Sequence, residues 1–431
     1  MKKWKKYLLW TGIGTGAVIT ILLIFSVLYH LIFGTPLDRK IAALRKSGEP
    51  ICLADLARKS IPPDQNGLSY LLRVKKDLDT IDKELFPLSD NEGNYKPENM
   101  KIIEEIFQAY PNVYPLLEQA AACTDFDLHL DFNLTPNKFN EKLMEDIGSL
   151  FRPTERYLDA RIRLLLSQGE SDEALRSTIL RLQFSRHLEN EPLILSYATA
   201  LGMKKRALEC ANEILQAGSV NDNIRDMLDK ELSLHGSMEK FRNALISERA
   251  FALDQYRYVV PHSWMLILNG QQNLIDQGEL SVLSAYENDI NYSFHPLSDL
   301  VTNKTNRVVS TMSWNNIGYL AIPVLHQTLI SAYRAQALVR ALCIINALQR
   351  TNPADNDKTP TMAELGLPNE VGIDPFNGKT MIIKKLANGW LVYSVGENLQ
   401  DDGGKVEEES NNKPLDVGFG PKTAPKQAQE K

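Results

Sequence analysis

The sequence predicts a mainly α protein with three parts: an N-terminal transmembrane helix, a body of helical hairpins and a small C-terminal β-hairpin module. Three observations predict this. Residues 7–33 form an uncharged apolar run, apolar residues recur at helical spacing through most of the next three hundred positions, and the pattern changes to that of a hairpin around Asn388-Gly389.

The apolar run holds no Asp, Glu, Lys or Arg. As a helix it reaches roughly 40 Å, more than the ~30 Å hydrocarbon core of a bilayer. A cleavable signal peptide needs a shorter run and a small-x-small exit. Here the exit reads Phe33-Gly34-Thr35-Pro36, so an uncleaved anchor is expected. Lys2, Lys3, Lys5 and Lys6 precede it, with Trp4, Tyr7 and Trp10 at belt positions, which places the N-terminus in the cytoplasm and the body outside. Arg39, Lys40, Arg45 and Lys46 beyond the anchor weigh against that orientation. Gly12 and Gly16 make a small-xxx-small face through which two anchors could pair, although glycine is also generally enriched in membrane helices.

Residues 38–350 read as the helical body. Ser47-Gly48-Glu49-Pro50 ends a short first helix, because glycine permits a left-handed cap and proline blocks continuation. Leu68, Leu71, Leu72, Leu78 and Ile81 mark the next helix, and Ile102, Ile103, Ile106 and Phe107 another. From Pro153, taken as a first-turn proline, to about Leu234 the pattern is of helix pairs joined by short loops, with Ser171 and Glu191-Pro192 as restarts. No fixed period supports a repeat array. Asp125, Asp127 and Asp131 alternate with Phe126, Leu128, Leu130 and Phe132, the pattern of a half-buried strand. A long apolar helix runs over 319–350, and 351–372 read as a linker.

Composition narrows the function classes. The chain has 431 residues, 43% hydrophobic and 24% charged, with a net charge of -6, so it is globular and carries no bulk basicity for nucleic acid. The four cysteines, Cys52, Cys123, Cys210 and Cys343, lack zinc spacing and read as packed thiols, with up to two disulfides open to an extracytoplasmic body. Gly378-Lys379-Thr380 ends like a P-loop, but the required first glycine is Ile373 and a β-prone run follows. Ser237-Met238-Glu239-Lys240 fits Ser-x-x-Lys and reads as a helix cap, since no companion motif of an acylating serine enzyme occurs. His262, His295 and His326 are scattered and define no site by spacing.

The C-terminal residues carry a resemblance. Asp374-Pro375-Phe376-Asn377-Gly378-Lys379, then Gly389-Trp390-Leu391-Val392-Tyr393-Ser394-Val395-Gly396, then Asp401-Asp402-Gly403-Gly404 with Asp416 downstream, resemble the C-terminal end of type II secretion major pseudopilins. The match spans about a tenth of the chain, and the prepilin glycine-aromatic-glutamate signature is absent from the apolar helix. The whole layout, with Gly48-Glu49-Pro50 after the anchor, also resembles a family of bacterial single-anchor membrane proteins. The resemblance implies a structural calcium ion held by Asp401, Asp402 and Asp416, and a place in the bacterial inner membrane. Calcium takes six to eight oxygens, which these carboxylates and glycine-freed carbonyls could supply.

The expected division is therefore 1–37 basic end and anchor, 38–350 body, 351–372 linker, 373–404 β-hairpin module, and a mostly disordered tail over 405–431 with a tether near Leu415–Phe419. No catalytic or cofactor-binding residue is assigned. The expected function is a non-enzymatic envelope scaffold or interaction protein, linked to a secretion or pilus-like machine through protein partners. An enzyme with a site formed only in three dimensions, and a sensor binding a small ligand between helices, are the alternatives.

Overall fold

A computed structural model of the chain describes residues 20, 34–90, 95–217, 220–259, 272–293, 295–302, 322–351, 359–406 and 415–421. The anchor over 7–33, with its Gly12 and Gly16 face, lies outside the described residues except for Thr20. So do His262, Trp264, most of 351–358 and most of the tail.

Local signals set the first helices. Helix α1 (Pro36–Lys46) starts at Thr35, whose hydroxyl accepts from the Asp38 amide while the Asp38 carboxylate accepts from the Thr35 amide, a closed capping box. It ends where Gly48 takes φ +75° and the Glu49 amide reaches the Leu44 carbonyl. Helix α2 (Gly67–Leu85) is capped by Asn66 and buries Leu68, Leu71, Val74, Leu78, Ile81 and Leu85 along one stripe. Gly67 is needed there: a Cβ would sit 2.5 Å from the Ala120 carbonyl oxygen. Helices α3 (Met100–Ala109) and α4 (Val113–Ala122) pack on α2, and α3 also packs on the long helix that follows.

Helix α5 (Pro136–Ser167) corrects the reading of Pro153 as a first-turn residue. The helix begins seventeen residues earlier at Pro136 and runs through Pro153, which is buried inside it. One lost backbone hydrogen bond is offset there by the burial of Leu150, Phe151, Tyr157 and Leu158 around it. The 125–132 segment also differs from expectation. It is extended but joins no sheet, its one β-bridge being an isolated pairing of Asp125 with Asn66, and His129 takes φ +54°. Asp127 is buried rather than wet, because the Asn66 amide ties down the Asp127 backbone on both sides. Alternation marks an extended segment, but a strand also needs a partner edge.

Helices α6 (Ser171–Glu189) and α7 (Ile194–Ala217) make the most extensive helix pair in the body. Arg161 meets Ser177 and Arg181 meets Glu155 and Asp159, so α5 and α6 run antiparallel. Two apolar cores lie on either side of this trio. One gathers α2–α5 with Phe184, Leu188 and Met203; the other gathers Ile162, Ile179 and Leu208 with everything that follows. Being faced on both sides, α6 shows little amphipathicity and buries Ser177, Thr178, Arg181, Ser185 and His187.

Helices α8 (Asp222–Leu232), α9 (Glu239–Val259), α10 (Gln272–Tyr292) and the short α11 (Leu297–Thr302) lead to α12 (Ile322–Thr351). Among the described residues, Gln327–Thr351 is the one helix long and apolar enough to cross a membrane, yet 78% of its apolar window is buried inside the protein. Its apolarity follows from being covered: α7 and α8 pack on one part of it and the sheet on another.

The sheet has three antiparallel strands in the order β1 (Ile382–Leu386), β2 (Gly389–Ser394), β3 (Val417–Phe419). Leu386 pairs with Gly389, so the tight turn is Ala387-Asn388 and Gly389, at φ +147°, already belongs to β2. The third strand comes from the tether region, and Gly418 lets it approach: a Cβ there would lie 2.1 Å from the Val392 carbonyl oxygen. Trp390, Val392, Val417, Phe419, Phe376 and Met381 join the second core. The protein is thus mainly helical with one small antiparallel sheet set against its longest apolar helix.

Candidate functional site

The turn that precedes the sheet is built on Asp374. Its carboxylate accepts from the Phe376 amide at 2.8 Å, the Ser394 hydroxyl at 2.7 Å and the Val395 amide at 3.0 Å, and it is almost fully buried. The Ser298 amide, in the first turn of α11, donates to the Phe376 carbonyl at 2.8 Å. From α12, Arg340 donates to the Ile373 carbonyl, and Tyr333 donates to the His295 carbonyl at 2.6 Å. These bonds tie the sheet's entry turn to the body.

A cleft of about 220 Å³ opens at this junction. Its walls are the α8–α9 connection (Gly236, Ser237, Met238), the end of α10 and start of α11 (Ser293, His295, Pro296), the α12 residues Tyr333, Gln336 and Arg340, and the 373–375 turn. Ser237 accepts from the Glu239 amide at 3.0 Å, so it serves as a helix cap. Gln336 donates to the Gly236 carbonyl at 2.8 Å. Burial holds the Arg340 guanidinium below its ordinary value, with Asp374 and Glu370 offsetting part of that cost. The sequence pattern places neither Arg340 nor Gln336 in a site; they sit three (Gln336) and seven (Arg340) positions beyond Tyr333 on a helix whose apolar residues dominate the pattern. Of the three scattered histidines, His295 lies on the cleft wall, His262 is outside the described residues, and so is the side chain of His326.

The carboxylates expected to bind calcium ring one loop. Asp416 is fully buried and accepts from the amides of Asp402 at 3.3 Å, Gly404 at 2.8 Å and Lys405 at 3.2 Å. Asp401 accepts from the Tyr393 hydroxyl at 2.8 Å and the Gly403 amide at 2.9 Å, while Asp402 accepts from the Asn398 amide at 2.6 Å. Burial raises the Asp416 carboxyl and the Gly403 amide lowers that of Asp401. Gly403 and Gly404, at φ +87° and +90°, turn the backbone amides inward. In this arrangement Asp416 closes the loop as an acceptor for backbone donors. Among the described residues no group of three or more His, Cys, Asp or Glu side chains converges to hold a metal ion.

A third polar cluster is sealed between α6, α7 and the end of α8. Lys204 pairs with Glu189, both almost fully buried; His235 Nε2 lies 3.0 Å from Glu231, which also accepts from Arg186 at 2.8 Å. His235 Nδ1 lies 3.9 Å from Glu189 without a hydrogen bond. Burial, with help from Lys204, holds the His235 ring below its ordinary value. All four cysteines are free thiols; Cys210 and Cys343 are buried, Cys52 and Cys123 half-buried.

A mainly helical protein, with a small sheet sealing one helix and a cleft where the two meet, is the class that fold and geometry define. No family model, curated protein or solved structure matches the chain.

Proposed function

We propose that the chain is a single-anchor protein of a bacterial inner membrane, held by residues 7–33, whose extracytoplasmic body is a non-enzymatic scaffold that contacts a secretion or pilus-like machine through its C-terminal sheet. The observation that carries this reading is the placement of the sheet. Its strands β2 and β3 cover α12 and share the body's core, while the outer edge of β1 pairs with no strand beyond 382 among the described residues. An edge strand offers unpaired backbone groups to another chain. The uncharged run after a lysine-rich start supports the anchor and its orientation. The order of motifs from Asp374 to Asp416 supports the pseudopilin-like character of the sheet, and with it the structural calcium ion at Asp401, Asp402 and Asp416.

The test is in-cell crosslinking of the full-length protein followed by mass spectrometry, with Lys384→Glu/Lys385→Glu as the control. Both lysines lie on β1, over the Tyr393 and Trp390 rings, so the control also requires that the variant keep the wild-type circular dichroism spectrum. Secretion or pilus components captured by the wild type and lost in the variant support the scaffold reading. Capture of none, or equal capture by both, removes it.

A further inference from the structure

The cleft beside Arg340 is lined by a half-buried guanidinium that no carboxylate among the described residues pairs with. Half-buried and buried guanidinium groups are normally paired, because removing the charge from water is costly. Here Arg181 has Glu155 and Asp159, Arg186 has Glu231, Arg249 has Glu49 and Arg257 has Glu279. Among the described residues Arg225 and Arg161 have no carboxylate within ion-pair distance, but Arg225 donates to the Val220 carbonyl, Asn346 and Gln349, and Arg161 donates to Ser177 and lies over the Tyr114 ring. Arg242, half-buried, also lacks an ion pair among the described residues, but of these arginines it is Arg340 that lines the cleft. It donates one N–H to the Ile373 carbonyl, and among the described residues no carboxylate lies within ion-pair distance of it.

Asp374 and Glu370 are the acidic groups that act on it electrostatically. Asp374 cannot turn to it, since both its carboxylate oxygens are already held by the Phe376 amide, the Ser394 hydroxyl and the Val395 amide. The guanidinium therefore lines the cleft with a planar fork of donors, a geometry that matches a carboxylate. Met238, Pro296, Tyr333, Ile373 and Pro375 make the surrounding wall largely apolar. At about 220 Å³ the space is smaller than the usual drug-sized site and suits only a few heavy atoms.

We propose that this cleft binds a small carboxylate carried on a short apolar group, with Arg340 as the anion anchor. The same chemistry is presented by a free branched-chain acid and by the C-terminal residue of a peptide. Either ligand would touch α12, the α8–α9 connection and the 373–375 turn together, and so would fasten the sheet to the body. This inference does not depend on the scaffold reading.

The experiment is calorimetric titration of the full chain with 4-methylpentanoate and with the tripeptide Ala-Ala-Leu bearing a free carboxyl terminus. The amides of both, and inorganic phosphate, are the controls. Saturable binding of the acids but not the amides is expected. Arg340→Met is expected to weaken it by about tenfold or more. Ile373→Trp, at a half-exposed rim position, leaves Arg340 in place and is expected to weaken it as well by narrowing the cleft. A preference between the two acids identifies the source. Amides binding as well as acids, acids binding Arg340→Met unchanged in a folded variant, saturation by phosphate alone, or no saturation below about 10 mM would each overturn the proposal.

Discussion

Glu191 follows the end of α6 and is 3% exposed beside Arg58. Burial pushes its carboxyl up to about 7, and Arg58 offsets only part of that. A folded value raised above the ordinary 4.5 means that the native state binds more protons between about 4.5 and 7. The stability this group contributes is therefore complete below about 4.5 and is lost as pH rises through about 7. Glu191→Gln stays neutral throughout, so its stability relative to wild type should improve from pH 5 to pH 8. Denaturant unfolding at the two pH values reads the difference. His187 and His235, held low by burial, act in the opposite sense below their ordinary value of 6.5, which is why the comparison must be between variants and not of one curve. None of this was legible in the sequence. Glu191-Pro192 looked like a helix start, and only the arrival of Arg58 and the 125–131 arm against it makes the carboxylate a buried one.

At the scale of elements, the helices divide into those the sequence could place and those it could not. Gly48 marks a boundary by chemistry local to a few residues and the structure uses it; Thr35 and Asn66 cap helices as well, whereas Ser171, expected as a cap, is the first residue of its helix after Glu170 and makes no capping bond. The α5–α6–α7 trio is harder. A helix faced by two cores loses its stripe, and a proline inside a buried helix looks like a beginning. The same trio carries the Lys204–Glu189 pair. Lys204→Met leaves Glu189 buried without its cation and should lower stability by about 3–5 kcal/mol. Adding Glu189→Leu should restore most of that loss, because an apolar pair of similar volume avoids the desolvation cost. Thermal unfolding of the single and double variants measures it; equal loss in both would show that the pair is not what holds α6 to α7.

At the scale of the molecule, the relation between body and sheet matters most. The sequence presents the β-hairpin as a separate module behind a linker, yet Trp390, Val392, Val417 and Phe419 share a core with α12. A chain ending before Asp374 should therefore fail as a clean deletion. It would uncover apolar residues of α12 and is expected to unfold cooperatively at lower denaturant or to aggregate, as read by circular dichroism and size-exclusion chromatography. If the shortened body unfolds at the same midpoint as the full chain, the sheet is an appendage.

The sequence by itself determined the helical class, the caps at Gly48 and Ser237 and the presence of a hairpin, because each rests on the short-range periods and turn chemistry of neighbouring residues. It also marked the apolar run at 7–33 and the acidic loop around Asp401 and Asp416. Tertiary structure alone decided that α12 is an interior helix, that residues 417–419 complete the sheet, and that Arg340 meets the Asp374 turn without an acidic partner at ion-pair distance among the described residues. Those outcomes depend on contacts between residues tens to hundreds of positions apart. Burial and charge pairing are properties of such meetings and leave no period in the chain.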